Sequence, residues 1–167
     1  MSQVRVRPMG ATANLDRNGR GGVVARSGAS LMLAGSPSME GFNPLELLDA
    51  SLAGCLALSV RIAARNLGLN DRLGSVSVEV IGAKASEPPS RIARQTCRFS
   101  IEGDFNDAER RSLIEEAHKV CTIGNSYHAS IDIIEAYSFN MIGESGLSGR
   151  NIRVKCQVRP GLQPEIE

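Results

Sequence analysis

Tryptophan is missing from this 167-residue chain, and Phe and Tyr together make up only 4% of it. That scarcity removes the stacking platforms on which single-strand nucleic-acid binders rely. Charge of either sign is not in excess, because 19 Lys and Arg nearly cancel 18 Asp and Glu. No strong field therefore exists to gather nucleic acid or an anionic membrane. The four cysteines, Cys55, Cys97, Cys121 and Cys156, form no C-x-x-C or C-x-x-H pair. This argues against structural zinc, a thioredoxin-type motif and any bound metal or cofactor. The opening residues, Met1 to Pro8, alternate apolar and basic side chains and lack the apolar core of a signal peptide. A cytoplasmic protein with free thiols is the expectation, in which any disulfide is transient. The longest apolar run, Leu47 to Val60, is interrupted by Asp49 and is too short to span a bilayer, so it reads as a buried helix.

What is present reads as an α+β domain of ordinary composition, long enough to bury its own core. A strand is expected from about Val4 to Leu15, and two more lie around Val23–Arg26 and Ser30–Leu33, separated by a Ser27-Gly28 turn. Asn43-Pro44-Leu45-Glu46 opens a helix with Asn as cap, Pro at its first position and Glu three residues after the cap. That helix runs to about Asn66, with Gly68 as its left-handed stop, and protein should surround it on most sides. Val76, Val78 and Val80, then Cys97, Phe99 and Ile101, alternate with polar residues as two half-buried antiparallel strands. A second helix opens at Asn106 and Glu109. Its apolar face carries Leu113, Ile114, Ala117, Val120 and Cys121, which turns Cys121 inward. Ile131 to Phe139 reads as a further strand, followed by a less regular 140–167 segment with one strand-like run, Ile152 to Val158. No internal repeat is visible.

Two motifs carry the chemistry. The first is Asn43-Pro44-Leu-Glu46-Leu-Leu-Asp-Ala-Ser-Leu-Ala-Gly-Cys55, and the second is Cys121-Thr-Ile-Gly-Asn125-Ser126. The arrangement resembles the OsmC/Ohr superfamily of thiol-dependent hydroperoxide reductases over roughly residues 10 to 139. The second motif departs from the family pattern at Thr122 and Gly124. The resemblance implies an OsmC-like fold, an antiparallel sheet around a long buried central helix, in an intertwined homodimer with sites at the interface. It divides the chain into an OsmC/Ohr-like domain, 1–139, and a C-terminal extension, 140–167. It also implies that Cys55 reduces organic hydroperoxides, with hydrogen peroxide as an additional substrate, through a sulfenic acid that Cys121 resolves, with an external dithiol restoring both thiols.

In that family an arginine steered by a glutamate holds the thiolate. Arg20 is the match by position, with Arg17 second, and Glu46 is the acid. Glu46 stands one residue later than the glutamate of the well-characterised enzymes, and one residue turns a side chain by about 100° around a helix. A capping role for Glu46 competes with a catalytic one. Cys97 reads as core packing, Cys156 as an incidental thiol, His118 as a partner for a helix C-terminus, and Tyr127 and His128 as pocket-lining, packing or surface residues. Two other functions stay open: a small-molecule binding or redox-sensing dimer with little turnover, and a structural dimerising domain.

Overall fold

The computed structural model describes residues 8–127, together with the strands at 131–135 and 152–156. The chain divides into two compact units, residues 1–124 and 125–167. In the first, β1 (Ala11–Leu15), β2 (Gly21–Ala25) and β3 (Ser30–Leu33) form an antiparallel three-stranded sheet. The turn between β1 and β2 is organised by Asp16, whose Oδ1 accepts the Asn18 and Arg20 amides at 2.8 and 2.9 Å. Gly19 closes it at φ 74°, a region that favours glycine. The expected first strand begins at Ala11 within the described residues, and positions 4–7 lie outside them.

Helix α1 spans Pro44–Asn66 because both ends are chemically marked. Asn43 Oδ1 accepts the Leu45 and Glu46 amides, and Glu46 Oε2 returns the bond to the Asn43 amide at 2.8 Å. At the other end Leu67 donates to the Ala63 carbonyl, and Gly68 follows at φ 69°. The buried stripe is Leu52, Leu56, Ser59, Val60, Ala63 and Ala64. Enclosure on most sides is not what the single chain has: Leu58 is 66% exposed and Ile62 44%. Helix and strands of one chain cover one face of a cylinder and leave the other open. The 14-residue run judged too short for a membrane lies inside a 23-residue helix that, by length and composition alone, suffices to cross one.

Strands β4 (Leu73–Lys84) and β5 (Ile92–Gly103) form a second antiparallel sheet, each longer than the alternating core of its sequence suggested. Helix α2 (Asp107–Val120) opens on a capping box between Asn106 and Glu109. Arg72 pairs with the Glu109 carboxylate and lies 5.6 Å from the Phe105 ring, while Arg110 lies 5.8 Å from the same ring and donates to the Ile101 carbonyl. One core cluster joins Val60, Ala63 and Ala64 of α1 to Leu113 and Ala117 of α2. The alanines bring the two helix backbones close. A second cluster joins Leu52, Leu56 and Cys121, and Phe99 packs against both.

In the second unit β6 (Ile131–Glu135) pairs antiparallel with β7 (Ile152–Cys156), Ile133 opposite Val154. The boundary drawn between residues 139 and 140 thus runs between two paired strands. Residues 136–139, 157–158 and His128 lie outside the described residues. Among the described residues the antiparallel pairings are β1-β2-β3, β4-β5 and β6-β7.

Candidate active site

Cys55 opens the fourth turn of α1, between the buried stripe and the exposed face, and is half-buried. Cys121 caps the end of α2: its amide donates to the His118 carbonyl, and the chain then bends into the short helix α3 (Thr122–Asn125). That bend returns the 121–124 backbone across α1. The Ile123 amide donates to Cys55 Sγ at 3.5 Å, and the Gly124 amide donates to Cys121 Sγ at 3.3 Å. A Cβ at Gly124 would lie in ordinary contact with Cys121 Sγ, at 3.5 Å, and with Leu52, at 3.9 Å. The Cys121 thiol is near enough to Cys55 to favour its ionised form. Leu52, Leu56 and Ile123 form the apolar floor around them.

The electrostatics separate the two thiols. Burial pushes the Cys55 thiol up, but the Ile123 amide, the Cys121 thiol, the Ser59 side chain and the Thr122 amide together outweigh it and leave Cys55 below its ordinary value of 9.0. For Cys121, burial dominates and the neighbouring Cys55 adds to it, so its thiol is held above the ordinary value. Cys97 is also raised, first by burial and then by the Asp49 carboxylate. Asp49 itself is accommodated by the Gln95 amide, which donates to Oδ1 at 2.7 Å, and by Gly82, where a Cβ would stand 3.0 Å from the carboxylate. Of these three thiols, Cys55 is the one whose surroundings favour the ionised form.

Arg20 and Glu46 stand elsewhere in the chain. Arg20 is exposed just before β2, Arg17 is exposed in the same turn, and among the described residues no hydrogen bond or ion pair links either guanidinium to Cys55 or Glu46. Glu46 closes the capping box of α1, about 13 Å along the helix axis from Cys55. It also lines a cavity of about 740 Å³ with Ala34, Met39, Gly41 and Asn43. That cavity belongs to the helix N-terminus and not to the thiols.

Sequence reasoning looked for a cation and passed over the neutral donors. Ser59 was legible in principle, being four residues after Cys55 on the same helix face. The Ile123 and Thr122 amides leave no trace in side-chain identity. His118 is exposed in the last turn of α2, and Tyr127 is exposed beyond α3. Among the described residues no cluster of His, Cys, Asp or Glu has the grouping to hold a metal ion.

The family model described as OsmC-like protein matches residues 35–136, well over half of the chain. The chain belongs to the OsmC-like family. An OsmC-like protein from Mycoplasma pneumoniae superposes on this OsmC-like chain with a TM-score of 0.64 at 18% identity, covering 74% of this chain and 89% of the other. An organic hydroperoxide resistance protein OsmC from Legionella pneumophila gives 0.59 at 25% identity, covering 75% and 93%. The organic hydroperoxide resistance protein OhrB of Bacillus subtilis gives 0.59 at 17% identity, covering 74% and 92%. No curated protein sequence matches the chain. The mixed helix and antiparallel-sheet architecture of this OsmC-like chain is that of the OsmC/Ohr structures.

Proposed function

We propose that the protein reduces organic hydroperoxides with Cys55 as the attacking thiol and Cys121 as the resolving one. The observation that carries this reading is the placement of Cys55 against the 121–124 bend, where the Ile123 amide donates to its sulfur at 3.5 Å and Cys121 packs in the same buried cluster. The Cys55 thiolate attacks one oxygen of the O–O bond, an S–O bond forms, and the alkoxide leaves as an alcohol after taking a proton. Cys55 is then a sulfenic acid. Cys121 attacks its sulfur, the hydroxyl departs as water with the Cys121 proton, and a Cys55–Cys121 disulfide results. An external dithiol exchanges with that disulfide, restoring both thiols and becoming oxidised itself. This cycle suits a reducing compartment such as the cytoplasm. The apolar surroundings of Leu52, Leu56 and Ile123 favour an alkyl or aryl hydroperoxide over hydrogen peroxide.

The same reading takes the protein to be a homodimer, supported by the open apolar side of α1 at Leu58 and Ile62. Stopped-flow oxidation of the reduced protein by cumene hydroperoxide and by hydrogen peroxide, followed by disulfide mapping, tests the chemistry. Rapid formation of a Cys55–Cys121 disulfide is expected, and a Cys55 left reduced after excess cumene hydroperoxide overturns it. A binding or sensing dimer is the second reading, favoured by the separation of Arg20 and Glu46 from Cys55 within the chain. It predicts one oxidation event and no sustained peroxide loss when dithiol is supplied.

A further inference from the structure

Ser59 is the one buried polar side chain among the described residues, 2% exposed within an otherwise apolar stripe of α1. A hydroxyl in that position has few partners to choose from. Leu52, Leu56, Val60 and Ala63 share the face, and none offers an acceptor. Its neighbour one turn earlier on the same face of α1 is Cys55, four residues back, whose sulfur lies within reach of a side chain at that spacing. The Ile123 amide of the 121–124 bend donates to that same sulfur at 3.5 Å.

We propose that Ser59 is a positioning residue whose hydroxyl donates to Cys55 Sγ and holds the ionised sulfur facing Cys121. This rests on the reading of Cys55 as the attacking thiol and adds to it how a thiolate persists there: by a set of neutral donors on one chain. An ionised sulfur accepts stronger hydrogen bonds than a thiol does, so each donor favours the reactive form and also restricts its rotamer. The bland alternative is local. A serine inside a helix commonly returns its proton to the carbonyl four residues earlier, here that of Cys55 itself, and such a bond would leave the sulfur untouched.

The two roles separate in a titration. The reduced protein, Ser59→Ala and Ser59→Thr are alkylated with iodoacetamide across pH 5 to 10, and the rate at Cys55 is followed by peptide mass spectrometry. Ser59→Ala should carry about three- to tenfold less Cys55 thiolate at neutral pH, the loss of one hydrogen bond to a charged acceptor, with its titration displaced to higher pH. Ser59→Thr keeps the hydroxyl and should titrate close to the parent. An unchanged Cys55 profile in a folded Ser59→Ala protein overturns the proposal, as does a Thr variant that behaves like the Ala variant. Peroxide consumption is measured alongside. A displaced profile in a protein whose parent consumes no peroxide leaves the Ser59 role standing and removes the peroxidase reading instead.

Discussion

At Cys55 burial opposes ionisation, while two backbone amides, the Cys121 thiol and Ser59 favour it. The balance fixes the sign of the pH dependence. Because the folded value lies below that of a free thiol, the oxidation rate should climb with pH and level off at a lower pH than a small thiol such as glutathione would. Raising the pH should activate Cys121 and Cys97 only later, since both are held above the ordinary value. Sub-stoichiometric iodoacetamide at neutral pH should therefore label Cys55 ahead of the other two, as peptide mapping would report. Cys55→Ser should abolish peroxide loss. Cys97→Ser should leave it nearly intact, because Cys97 packs against the second cluster beside a carboxylate that discourages its ionisation. Cys121→Ser should allow a single oxidation and then accumulate sulfenic acid, which dimedone labelling detects. Of these residues, Cys55 and Cys121 were marked by their motifs, whereas the Arg20 position was inferred from the residues that follow it. A turn that lies so far ahead of helix α1 in the chain carries no local rule that says where its side chain ends up.

Helices α1 and α2 were readable almost to the residue because their starts are written locally: Asn43 with Glu46, and Asn106 with Glu109, each close a reciprocal pair of hydrogen bonds within four residues. Strand lengths were less legible. The polar and glycine positions toward the ends of β4 and β5, such as Gly82, Arg94 and Gln95, join the ladder through backbone pairing, which alternation of side chains does not reveal. Asn43→Ala should lower stability by about 1 kcal/mol, read as a reduced urea midpoint with an unchanged slope. Glu109 stands below the usual carboxylate range chiefly through its hydrogen bond to Arg72. Its contribution to anchoring α2 is thus present above the ordinary carboxylate value and is lost as pH falls through the lowered one.

For the whole molecule, the open side of α1 is the feature that a single chain leaves unaccounted for. Fully burying a leucine or isoleucine contributes about 1.5–3 kcal/mol, so covering Leu58 and Ile62 on both copies would favour association strongly. Leu58→Glu should shift the protein from dimer to monomer in sedimentation, with Ile62→Glu acting alike. A parent protein that sediments as a monomer at micromolar concentration would defeat the dimer reading. The sequence revealed how apolar the helix is, but not which side lacks cover. That depends on where α2, β4 and β5 fold back, a matter of contacts far apart in the chain.

Both sulfurs are also acceptors for the backbone that follows α2, Cys55 for the Ile123 amide and Cys121 for the Gly124 amide. Forming a disulfide removes the ionised sulfur of Cys55 and leaves a poorer acceptor for the Ile123 amide. Oxidation should then loosen the 121–124 bend at the same moment that it ties the bend covalently to α1. Amide hydrogen exchange at Ile123 should be faster in the disulfide form than in the reduced one, while Leu113 and Ala117 keep their protection. Through that bend the protein would display its oxidation state on its backbone, where a reductant approaching the disulfide meets it first.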